Sequence, residues 1–164
     1  MNKKLNFIFK YKKIYKVVLY LLVFFVIIFS TYFFIPKFFN YTPKLIEESL
    51  KKNSNINIKN IASIKYKPFP SPRLSLIGSN LKFEKNILII ENAEIDIILN
   101  PLSIINYKIL DYNKIYIKKG FSIIEVNKIN QLFEYVKKNR KKINLKKNKI
   151  ILLKKNKTLF EISD

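Results

Sequence analysis

Residues 93–99 read Ala-Glu-Ile-Asp-Ile-Ile-Leu, so that Ala93, Ile95, Ile97 and Leu99 alternate with Glu94, Asp96 and Ile98. A period of two puts the first four on one face of a β-strand and the others on the opposite face. One greasy face and one wet face is the mark of an antiparallel strand packed on a core from one side. The same period recurs on both sides of this stretch. Ile56 and Ile58, Ile64 and Tyr66, Leu74 and Leu76, Leu81 and Phe83, and Ile115 and Ile117 each flank a polar or small residue. Turn signals separate the runs at Pro68-Phe69-Pro70-Ser71-Pro72, Gly78-Ser79-Asn80, Asn100-Pro101 and Lys119-Gly120. Two last strands are expected near 143–153 and 157–162. The sequence stops close behind the second, which predicts an open sheet edge. The apolar strand face (Leu74, Leu76, Leu81, Phe83, Ile95, Ile97, Leu99, Ile115 and Ile117) is expected to be either a core or a lipid-facing surface.

Short helices interrupt the strands. Thr42-Pro43 is a helix start, with Thr as N-cap and Pro at the first position. Leu45, Ile46, Ser49 and Leu50 then share a face, Glu47 and Glu48 precede Lys51 and Lys52, and Asn53-Ser54-Asn55 ends the run. Asn100-Pro101 predicts one further helical turn over 101–106. Residues 127–140 predict a third helix, with Ile129, Leu132, Phe133 and Val136 at i, i+3, i+4 and i+7.

Upstream lies the apolar run Val17 to Ile35, VVLYLLVFFVIIFSTYFFI. At a rise of about 1.5 Å per residue it spans roughly 28 Å, the hydrocarbon thickness of a bilayer. Lys3, Lys4, Lys10, Lys12, Lys13 and Lys16 precede it, and the first acidic residue is Glu47. Positive charge beside a span stays on the cytoplasmic side. The expected organisation is a basic cytoplasmic stub (1–16), a transmembrane signal anchor (17–35) and a periplasmic strand-rich domain (36–164) of a bacterial inner-membrane protein. No small-residue cleavage pattern follows the run, which argues against a removed signal peptide. The run lacks the polar face a soluble helix needs. The fold class is therefore α+β: a transmembrane helix followed by a small antiparallel, curved sheet with two or three short helices.

Net charge is +21, from 32 basic and 11 acidic residues. Basic chains bind nucleic acid or anionic membranes. Six of the lysines serve topology, and only Arg73 and Arg140 are arginines, the residue that bidentate phosphate and base recognition favours. Attraction of ordinary lysine faces to anionic headgroups is the better reading, and nucleic acid is disfavoured. There is no cysteine, histidine or tryptophan. Disulfides, thiol chemistry and the commonest general base and metal ligand are thereby excluded. Two glycines make no phosphate-cradling loop, and the serines have no histidine partner. No catalytic, cofactor or metal constellation remains, so the chain is expected not to be an enzyme. The Pro68-to-Arg73 stretch is a stiff connector into the strand at Leu74, rather than a polyproline ligand.

The order of parts carries a resemblance. An anchor leads to a helix (Leu45-Ile46-Glu47-Glu48-Ser49-Leu50), a strand pair and a Pro-x-Pro connector. Then come Leu74 to Phe83, a strand at Ala93 to Leu99 running into Asn100-Pro101-Leu102-Ser103-Ile104-Ile105, and the extended segment Lys114 to Ile123. This arrangement resembles the N-terminal region of the AsmA family of envelope proteins, over roughly 17–126. AsmA proteins are usually several times longer, and the chain stops where their further strands begin. The resemblance implies a non-enzymatic, inner-membrane-anchored periplasmic protein of outer-membrane biogenesis, acting in phospholipid transport or in targeting and assembly of outer-membrane proteins. A greasy sheet face of that kind shelters acyl chains at about 0.8 kcal/mol per methylene. Phospholipid and other envelope proteins are then the expected partners. The alternative is a bitopic scaffold or assembly subunit, as in lipopolysaccharide export or cell division, binding a protein through an exposed edge strand.

Overall fold

A computed structural model describes residues 2–100, 109–139, 141–154 and 157–162, with side chains from residue 14 onward. The turn expected over 101–106 lies outside the described residues. Helix α1 (Asn2–Phe34) runs unbroken from the lysine-rich stub through the apolar run, because no proline or glycine interrupts it before Pro36. Its apolar stretch is Ile14–Phe38, 25 residues, in which Pro36, past the end of α1, alone is buried. A helix this long and this apolar, uncovered by the rest of the chain, is a candidate to span a bilayer. A 3-10 turn (Ile35–Phe38), with Pro36 in its first turn, leads out of it.

Helix α2 (Pro43–Ser54) starts as the sequence predicts: the Thr42 side chain accepts a hydrogen bond from the Leu45 amide at 3.2 Å. It ends on Asn55, in the left-handed conformation (φ 50). Ile46, Ser49, Leu50 and Ser54 form its buried face.

The sheet has nine strands among the described residues: β1 (Ile56–Lys59), β2 (Ser63–Lys67), β3 (Arg73–Phe83), β4 (Leu88–Leu99), β5 (Tyr112–Lys118), β6 (Phe121–Glu125), β7 (Lys142–Lys146), β8 (Lys149–Lys154) and β9 (Lys157–Ile162). They act as six ribbons, because three pairs are one strand broken in the middle. β1 and β2 both line β3, β5 and β6 both line β4, and β7 and β8 line β5 and β6. The sheet is mixed and open. The antiparallel expectation holds for β1–β3, β2–β3, β3–β4, β4–β5, β4–β6 and β8–β9. It fails for β5–β7 and β6–β8, which are parallel. The reason is helix α3 (Ile129–Lys138), which carries the chain from the end of β6 back to the start of β7, as a parallel pairing requires.

Gly78-Ser79-Asn80 and Lys119-Gly120 are not turns. β3 runs straight through the first, with a register shift between Leu76 and Leu81. Lys119-Gly120 divides β5 from β6 while both keep pairing with β4. The strand expected near 143–153 is likewise divided at Lys147-Asn148. In each ribbon from β1/β2 to β7/β8 the interruption contains a residue of positive φ: Asn60 (57), Gly78 (67), Asn92 (49), Lys119 (55) and Lys147 (51). The registers put all five at one level. Ser79 faces Ala93, Glu94 and Glu91 face Lys118 and Phe121, and these two face Lys146 and Lys149. A seam of bulges thus runs across these five ribbons and bends each at the same height.

Above and below the seam the greasy residues point to one side. Leu74, Leu76, Leu81, Phe83, Ile95, Ile97, Leu99, Ile115 and Ile117 are all at most 2 % exposed. They pack with Ile46 and Leu50 of α2 and with Tyr135 of α3 in one core. Tyr135 meets Phe83 edge-on at 5.5 Å and donates to the Ser54 carbonyl, and the Tyr112 and Ser54 hydroxyls are 2.7 Å apart. Burial pushes the Tyr112 phenol up to about 12, helped by the nearby Asp111 carboxylate and opposed by the Ser54 hydrogen bond. In α3 the core face is Ile129, Leu132 and Tyr135. Phe133 and Val136, expected on that face, are exposed. Tyr135 takes the inward place because its hydroxyl finds buried partners.

Candidate functional site

The predicted apolar face is therefore a covered core, not an open groove. Of the topology lysines, Lys3, Lys4, Lys10, Lys12, Lys13 and Lys16 all fall within α1, on the N-terminal side of the apolar run, and Lys16 is exposed. Chemistry is to be sought on the other side of the sheet, where the polar partners of the alternation meet the end of α1.

Two contacts fix that meeting. The Tyr66 hydroxyl donates to the Phe33 carbonyl in the last turn of α1, and the Phe33 ring stacks on Phe69 at 4.9 Å and 21°. Phe69 belongs to the proline-rich connector between β2 and β3, which thus also braces the end of α1. Tyr66 is held by its register opposite Leu74.

Beside this junction lies an open groove of about 570 Å³, lined by Tyr32 of α1 and by Arg73, Asp96, Lys114, Lys118 and Lys146 of the sheet, among others. Register builds it. Ser75 lies opposite Asp96, Asp96 opposite Tyr116, and Lys118 opposite Lys146. Asp96 is 4 % exposed. It accepts from Lys118 Nζ at 2.6 Å and from Ser75 Oγ at 2.8 Å, and Arg73 Nε stands 3.5 Å away. Burial works to raise its carboxyl. The hydrogen bonds of Lys118 and Ser75 and the charges of Lys118 and Arg73 outweigh it and hold the group below the usual carboxylate range. Arg73 Nε has no hydrogen-bond acceptor, and its Nη1 reaches only the Ser71 carbonyl, at 3.4 Å. Lys146 Nζ lies 4.9 Å from the Tyr116 ring centre. Among the described residues, neither Lys114 nor Lys146 has a carboxylate partner.

This network makes the domain acid-sensitive. Asp96 titrates lower in the folded chain than the unfolded value of about 3.9, so its contribution is complete above that value and fades as pH falls through the folded one. The Asp96→Asn variant keeps a partner for Ser75 but strips Arg73 and Lys118 of their counter-charge, and is expected to lose about 2 kcal/mol at neutral pH. Urea midpoints of both proteins at neutral pH and near pH 3 check this: the gap between them narrows in acid.

A second feature was anticipated in kind. Strand β9 forms one edge of the sheet and is exposed along its whole length, with Leu159, Phe160 and Ile162 uncovered. Sequence reasoning missed the groove, because its residues are single wet-face positions scattered over four strands and joined only by register. Among the described residues no cluster of acidic side chains is placed to hold a metal ion. No family model, no curated protein and no solved structure matches the chain.

Proposed function

We propose that this chain is a non-enzymatic, inner-membrane-anchored periplasmic protein of AsmA type, taking part in envelope biogenesis through phospholipid transport or through targeting and assembly of outer-membrane proteins. The observation that supports it is the join of a candidate membrane helix to a bent, amphipathic sheet, through Tyr66, Phe33 and Phe69. In this reading the sheet stands on the membrane as a base. Acyl chains are not sheltered by Leu76 or Ile95, which are fully buried. Lipid is met at the surface of the base.

A second reading, the bitopic assembly subunit, draws on β9. A strand that pairs on one side only among the described residues, with three exposed apolar side chains, is suited to strand addition by a protein partner.

One pair of measurements tests both. A reporter fused behind Asp164 is expected to be active only when exported; activity in the cytoplasm overturns the orientation and reopens nucleic acid. A photo-reactive residue in place of Phe160, in membranes of living cells, is expected to capture phospholipid under the first reading. Capture of a single protein and no lipid favours the second.

A further inference from the structure

We propose that the groove between Tyr32 and the wet face of the sheet binds the phosphate of an anionic phospholipid headgroup from the adjacent leaflet. The proposal rests on α1 spanning a bilayer and on nothing else in the functional reading above. Four cations, Arg73, Lys114, Lys118 and Lys146, line the groove against one carboxylate, Asp96. That carboxylate is already engaged by Lys118 and Arg73. It holds two of the cations in place and leaves a positive surplus. Lys114 and Lys146 supply the surplus, and Arg73 adds a planar guanidinium whose Nη1 is held by the Ser71 carbonyl at 3.4 Å. A guanidinium with spare donors suits the oxygens of a phosphate, and nearby ammonium groups add point charge.

Position selects the source of the phosphate. Tyr32 lies in the last turns of the anchor, the level at which tyrosine settles between hydrocarbon and water. The headgroup layer there is roughly 5–7 Å deep on each side of the hydrocarbon. A groove whose wall includes Tyr32 opens into that layer. The phosphate of a lipid in the leaflet reaches it without leaving the membrane, while Tyr32 and Ile98 offer apolar surface to the glycerol and first methylenes. A cationic slot in partly excluded water also binds more tightly than the same lysines spread on a surface.

Full-length protein in mixed micelles, analysed by native mass spectrometry, tests this with phosphatidylglycerol and phosphatidylcholine as probes. Phosphatidylglycerol is expected to be retained about tenfold more strongly. The double variant Arg73→Gln with Lys114→Gln is expected to abolish the preference. Should that variant melt early, Lys114→Gln with Lys146→Gln, both at exposed or half-exposed positions, is expected to reduce it at least threefold. Lys51→Gln with Lys52→Gln on α2 removes as much charge and should leave the preference unchanged; an equal loss there overturns the site in favour of general attraction. Displacement of the lipid by millimolar inorganic phosphate or glycerol phosphate would show a site for free phosphate and overturn the lipid assignment. Extraction of the protein from membranes by alkaline carbonate would instead sink the anchor, a failure read independently of the groove.

Discussion

The Gly120→Val variant is expected to be unfolded, or to lose about 3–5 kcal/mol, a large part of the roughly 5–15 kcal/mol that holds a small domain together. Gly120 is not a residue of positive φ, so the difficulty is one of space. A Cβ there would lie 2.7 Å from Ile90 Cγ2, 3.1 Å from the Ala93 Cβ and 3.1 Å from Asn148 Oδ1. None of these is the free end of a flexible chain. Ile90 and Ala93 are fully buried in β4, and Asn148 is fixed by its own hydrogen bonds. The backbone is equally held, since the Gly120 amide donates to Asn148 Oδ1 at 2.9 Å and its carbonyl accepts from the Lys149 amide at 3.0 Å. Even Gly120→Ala should cost about 2 kcal/mol. Pairing it with Ile90→Ala is expected to cost less than the sum of the two, since each relieves the other's crowding. Urea titrations of the four proteins measure this; strict additivity would show that the strands move apart freely at the seam.

The Asn148→Ala variant should follow closely, losing about 2–4 kcal/mol. Asn148 is 4 % exposed. Its Nδ2 donates to the Ile117 carbonyl at 2.8 Å and to the Lys146 carbonyl at 3.1 Å, while Oδ1 accepts from Gly120. One side chain thus satisfies three main-chain groups where the ladder between the β5/β6 and β7/β8 ribbons is interrupted. Alanine leaves them without partners in a place water does not reach. Asn148→Asp is informative beside it. A carboxylate still accepts from Gly120 through one oxygen but sets the other, in the place of Nδ2, against two carbonyls, so the loss at neutral pH is expected to equal or exceed that of alanine. Acidification, which gives the new group a proton to donate, should recover part of it. Hydrogen exchange at Gly120 and Lys149 reports the same event locally.

Much of the architecture was legible. Thr42-Pro43 announced α2, because a cap and a preset φ act locally. The alternation over 93–99 gave the core face of β4, because its period alone decides which side chains face inward. The long apolar helix followed from composition. The seam is legible in principle, although its residues are also those of turns. Its mark is a slip of phase: Leu74 and Leu76 are even-numbered, whereas Ser79, Leu81 and Phe83, on the same buried face, are odd. The same slip separates Leu88 and Ile90 from Ala93 and Ile95, and Ile115 and Ile117 from Ser122 and Ile124. A glycine between two such runs signals a bulge as readily as a turn, and only a phase comparison distinguishes them. The parallel pairings were hidden for another reason. Exposed or half-covered strands such as β7 and β8 carry the same alternation whichever way their neighbour runs. The groove was hidden because Arg73, Asp96 and Lys118 are distant in sequence, and no single one is unusual for a strand's wet face.

The row of bulges also governs how this chain can change length. Removing the one extra residue from a single ribbon, at Asn92 for instance, would turn every side chain beyond it inside out relative to its neighbours. Leu88 and Ile90 would face the solvent while Leu81 and Ile124 stayed within. Related sequences are therefore expected to gain or lose residues at this height in several strands together, or in none. The chain is cut into two halves that can each vary in side chain but keep one common count, much as two lengths of cloth on either side of a fold must be hemmed as one.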